Sequence, residues 1–177
     1  MMTFTGTPKR LAAAAVAAAF AAVGAQAHIA WADPAQPGVT GVIGDVDAPG
    51  SYTPEALCAL PTRTESVTFH THAGEQSHTY VGPSVEDLVT AARPAPGPDP
   101  EHPYLTVAIV ATGADGYAAT LSWGEVAALS AARPAVLACR EDDAALPAAR
   151  LVVPDDLTGA RYVADVQTLR VVALSAP

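Results

Sequence analysis

The chain has almost no lysine. Among 177 residues Lys9 stands alone, and eight arginines complete the cationic side chains against 18 Asp and Glu, for a formal net charge of −9. Nucleic acids and anionic lipids are bound through clusters of Lys and Arg. A chain this acidic, with scattered arginines, argues strongly against both as partners. Cysteine is also scarce: Cys58 and Cys139 are the only two. There is no CxxC pair, no CxxCH haem attachment and no zinc-binding set. Gly-x-Ser-x-Gly is absent, and no paired carboxylates mark a glycosidase. No long alternation of helices and strands is visible, and no internal repeat.

What is present begins with a targeting pattern. Lys9 and Arg10 precede the uncharged run LAAAAVAAAFAAVG, and Ala25-Gln26-Ala27 places small residues where signal peptidase cuts. Residues 1–27 are therefore expected to be a signal peptide, with Ala30-Trp31-Ala32 as a second cleavage candidate. The run is short and mostly alanine, which argues against a retained membrane span. Cleavage after Ala27 leaves a lysine-free chain, which excludes Schiff-base chemistry. Export to the periplasm or the extracellular space follows, with no membrane association after cleavage. Two cysteines in an exported protein can pair or remain buried thiols, and the sequence leaves both open.

Residues 28–37 read as a flexible lead-in and 38–177 as one domain. A β-rich run covers residues 39–46. Thr53 and Pro54 suit the cap and first position of a short helix that Pro61 stops. VTFHTH and SHTYV form a hairpin. Ser84 caps a second short helix, and residues 93–103 carry five prolines and form an exposed loop. YLTVAIVAT reads as a buried central strand. Gly116 lies in a turn before a return strand at YAATLS, and Ser122 with Glu125 opens a helix extending through EVAALSAA. AVLACR, ARLVV and VQTLRVVAL add strands. Asp142-Asp143 and Asp155-Asp156 read as solvated turn residues, without calcium-loop spacing. About seven strands with three inserted helices give an α+β class with a mainly antiparallel or mixed sheet.

The stretch HTHAGEQSHTYVG, residues 70–82, holds three of the five histidines. Strand alternation puts His70 and His72 on one face. A two-residue loop at Gly74-Glu75, of the type with glycine first, pairs His72 with Ser77 and His70 with Thr79. That register sends His78 to the other face with Phe69 and Tyr80. A His-x-His pair can take up copper or zinc, but a tight site needs further ligands. No physiological metal is expected, and His70 and His72 are the candidates if one binds.

The ordered runs TYVGPSVEDLV, VATGADGYAATLSWGE and LPAARLVVPDDLTGARYVADVQTLRV resemble the molybdopterin-binding domain of the sulfite oxidase-like oxidoreductases, in particular its small exported single-domain bacterial members. Asp115-Gly116-Tyr117 matches one family segment. Arg150 to Pro154, with Gly159, Arg161, Tyr162 and Val163, matches another. The likeness covers about residues 38–174. It implies the sulfite oxidase-type fold and a pterin facing His70, His72, Tyr117 and Arg161, with Arg161 at the position of a phosphate-binding cation. It also implies a cysteine ligand to molybdenum at the end of the VTFHTH strand. Here Phe69, His70, Thr71 and His72 occupy that stretch, and neither cysteine matches. The reading is a domain without thiolate-held molybdenum, with a binding or accessory role toward a small molecule or an exported protein partner. Molybdopterin is the one cofactor the resemblance makes possible, although none is expected. An active oxidoreductase subunit, or a periplasmic metal-binding module built on His70 and His72, are the alternatives.

Overall fold

Residues 107–113, VAIVATG, alternate between buried and half-buried positions along their whole length, the signature of a strand packed on one face. The computed structural model describes residues 1–2 and 36–174. Apart from residues 1–2, the expected signal peptide lies outside the described residues, as does nearly all of the lead-in.

Two sheets make up the domain. The first is assembled from β1 (Thr40–Gly44), β2 (Gly50–Tyr52), β5 (Val107–Gly113), β6 (Ala118–Ser122) and β9 (Val166–Ala173), in the order β2-β1-β9-β5-β6. The second is formed by β3 (Arg63–Thr71), β4 (Gly74–Gly82), β7 (Val136–Glu141) and β8 (Ala144–Val152), in that order. All pairings are antiparallel except β1 with β9. Three short helices intervene: α1 (Pro54–Cys58), α2 (Val85–Ala91) and α3 (Trp123–Val126). The α+β expectation holds. Nine strands are present among the described residues: the runs named from the sequence all form strands, and the added one, Gly50–Tyr52, is too short to announce itself. Val42, Ile109, Leu121 and Leu169 from the first sheet meet Leu137 and Leu151 from the second in one core, which α1 and α2 close with Leu57 and Leu88. A smaller cluster of Phe69, Tyr80, Val136 and Val152 lies on the second sheet alone.

The local signals act as their chemistry dictates. Thr53 Oγ1 accepts the Ala56 N–H at 3.2 Å, and Ser84 Oγ accepts that of Asp87 at 3.0 Å. Glu125 accepts from both Ser122 N and Ser122 Oγ. The helix after Ser122 stops at Val126, however, and does not run to residue 132. Leu129 is fully exposed, so a longer helix would have no apolar stripe to bury.

The hairpin departs from the expected register. His72 and Ala73 form the loop, so His70 faces Glu75 and Val67 faces His78. The expected loop needed glycine in its first position. Neither loop residue has positive φ, and that conformation falls on Gly74 at +110° just after them. Thr71 closes the turn, its Oγ1 accepting from Ala73 N at 3.1 Å and donating to Gly74 O at 3.0 Å. The slip is an even number of residues, so His78 still shares a face with Phe69 and Tyr80.

Candidate functional site

The end of β3 is stitched to the segment before β9. His70 N donates to Leu157 O at 2.9 Å, and His70 forms an isolated parallel bridge with Thr158. Gly159 then lies against the Phe69 ring, where a Cβ would stand 3.0 Å from Cε2. Glycine is what allows this approach. Phe69 packs at a tilt against Tyr162 with centroids 4.7 Å apart.

These contacts frame a cleft of about 590 Å³, lined by Phe69, His70, Thr71 and His72 on one side and by Thr158, Gly159 and Ala160 on the other. His70 and His72 thus share one cleft although His72 has left the strand for the loop. Tyr117 is half-exposed at its flank and donates its hydroxyl to Ala160 O at 2.5 Å. The facing segment, Thr158 to Ala160, belongs to a turn with no local sign of function. Only the tertiary bridge to His70 brings it into the site.

Arg161 ends the 3-10 turn at Gly159–Arg161 and turns away from these residues. Its guanidinium donates to Asp156 Oδ2 at 2.9 Å and Oδ1 at 2.5 Å, and also to Glu125. Asp156 foremost, then Glu125, hold its protonation above the ordinary arginine value. Burial pulls the Glu125 carboxyl upward, but hydrogen bonds from Ser122 and Arg161 outweigh it and leave the group below its usual value. Arg133 is similarly committed, to Glu65 Oε2 at 2.8 Å and the Ser66 carbonyl at 2.8 Å. No arginine lines the cleft itself.

Behind the cleft the Tyr162 hydroxyl is buried without a hydrogen-bond partner, and burial, with Tyr80 next, pushes its pKa up to about 12. His78 does not reach His70 or His72. Its Nδ1 meets Asp142 Oδ2 at 2.7 Å on the other face of the hairpin.

The two cysteines are joined, Cys58 on α1 to Cys139 on β7, with Cα atoms 5.8 Å apart. They border a different cleft, beside Pro54 and Leu146. The donors at the end of β3 are imidazole and hydroxyl groups, without thiolate or free cation. They do not fit a molybdenum centre held by a protein sulfur, nor a phosphate-bearing pterin anchored by Arg161.

No family model matches the sequence, and no curated protein matches it. The fold is similar to that of the sulfane dehydrogenase SoxCD from Paracoccus pantotrophus, with a TM-score of 0.61 and 22% identity over 77% of this chain. The match spans 38% of that chain, so most of the larger protein has no counterpart here. At this identity the likeness is one of fold.

Proposed function

We propose that this chain is an exported domain of the sulfite oxidase-type molybdopterin-binding fold that has given up the metal-ligating position and works as a binding or accessory protein. One observation carries the reading. Where the family resemblance calls for a cysteine, His70, Thr71 and His72 line the cleft, while both cysteines are joined to each other elsewhere. The fold similarity to SoxCD supports the architecture. The disulfide supports export, because such bonds persist in oxidising compartments. Among the described residues no helix is long and apolar enough to cross a membrane.

The cleft suits a small neutral molecule or a segment of an exported protein. Its floor is Phe69, with Gly159 and Ala160 beside it, and its polar groups are two imidazoles and two hydroxyls. An anion would find Arg161 already held by two carboxylates.

The test is elemental analysis and electronic absorption of protein purified from a molybdenum-replete host. Far less than one molybdenum per chain is expected, with no turnover of sulfite, sulfoxides or N-oxides using artificial electron carriers. One molybdenum per chain would overturn the reading and make His70 and His72 the next residues to replace.

A further inference from the structure

His78 is the histidine of the hairpin with the most fully built surroundings. Its ring lies 6.1 Å from Phe69 and 5.9 Å from Tyr80, centroid to centroid, both at a tilt. Nδ1 faces Asp142 Oδ2 at 2.7 Å and Glu141 Oε1 at 3.4 Å. The three donor atoms lie within 4.8 Å of one another.

Both carboxylates have partners outside the cluster. Asp142 Oδ1 accepts the Thr79 N–H at 2.8 Å. Glu141 meets Arg150 through Oε2 at 3.1 Å and Oε1 at 3.3 Å, and accepts the Tyr80 hydroxyl on Oε1 at 3.0 Å. Outer contacts of this kind orient metal ligands and raise affinity. A single proton on Nδ1 serves two carboxylates poorly, whereas a dication engages all three donors. With His78 neutral, the two carboxylates and Arg150 leave a net charge of −1 at the cluster. An imidazole with two carboxylates is a borderline-to-hard set that suits first-row divalent ions. A cavity of about 210 Å³, bordered by Ser66, Thr68 and Ser77 as well as by His78 and Asp142 but not by Glu141, leaves room for water on the Asp142 side.

We propose that His78, Glu141 and Asp142 form a binding site for a divalent first-row transition ion, with zinc as the test ion. This site is separate from the cleft at the end of β3 and independent of the fate of molybdenum there.

Calorimetric titration of the disulfide-intact full chain with zinc chloride, backed by the absorption of bound cobalt(II), tests it. One ion per chain is expected, bound more weakly at lower pH as protons compete for His78. Asp142→Asn keeps an acceptor for the Thr79 N–H and tolerates the positive φ of 47°. That variant, and His78→Gln, should each weaken binding by about tenfold or more. The double variant His70→Ala/His72→Ala should bind as the parent does. The proposal is overturned if the parent takes up no zinc, if a folded Asp142→Asn binds it unchanged, or if the His70/His72 variant is the one that loses it.

Discussion

Arg161 stands where the resemblance calls for a phosphate-binding cation, yet its guanidinium is spent on Asp156 and Glu125. A ligand phosphate would have to displace two carboxylates that hold it already. The reverse side of the same contact is legible in pH. The folded chain keeps Glu125 below its ordinary value, through Ser122 and Arg161 acting against burial. A carboxyl whose folded pKa is depressed stabilises the fold above the unfolded value, and that contribution disappears as pH falls through the folded one. The pair is partly exposed and screened by solvent, so the effect stays below about 1 kcal/mol. Thermal unfolding of the parent and of Glu125→Gln should therefore differ most near neutral pH and converge in acid, below the usual glutamate range of about 4. Parallel curves throughout would mean that neither Ser122 nor Arg161 stabilises this carboxylate.

At the scale of elements, the caps were readable because their chemistry is local: Thr53, Ser84 and the Ser122–Glu125 pair act within three residues of themselves. The hairpin was readable as a hairpin, but its register was not. Placing glycine first in the loop gave one solution, while Thr71 closing on Ala73 and Gly74 gave another. Cross-strand hydroxyl pairs, Thr68 with Ser77 at 2.8 Å and Ser66 with Thr79 at 3.1 Å, belong to the second. The cleft was half legible. His70 and His72 stood out, but Thr158 to Ala160 reach them only through a bridge across 88 positions of sequence (158 minus 70). The His78 cluster was hidden for the same reason, since Glu141 and Asp142 arrive from a different strand and its turn. Gly74 carries a testable consequence of the observed turn. Its φ is +110° and nothing lies within 4 Å of an added Cβ, so Gly74→Ala meets backbone strain alone. Urea denaturation should show a loss of about 1–3 kcal/mol, and Glu75→Ala beside it should be close to neutral. An unaffected Gly74→Ala would place the positive φ, and with it the turn, elsewhere.

For the whole molecule, the disulfide is the longest-range covalent constraint. It joins residues 81 apart and fastens α1, whose Leu57 is fully buried, to β7 in the second sheet. A five-residue helix cannot hold itself together in water, so its position depends on that tether and on Leu57. Closing so long a loop restricts the unfolded chain, and removing such a bond typically costs about 2–5 kcal/mol. The double variant Cys58→Ser/Cys139→Ala should lose that much in urea denaturation, and a thiol reductant should bring the parent down by a similar amount. Reductant added to the double variant should change nothing further. Cys139 is buried and its Sγ lies 3.3 Å from the Val81 carbonyl. Cys58 is exposed, so an attacking thiolate enters from the Cys58 side and reduction needs no opening of the domain. A parent that is equally stable without the bond would remove the structural support for export. The acidic, lysine-poor composition would then be the remaining feature of the folded domain to explain by its surroundings.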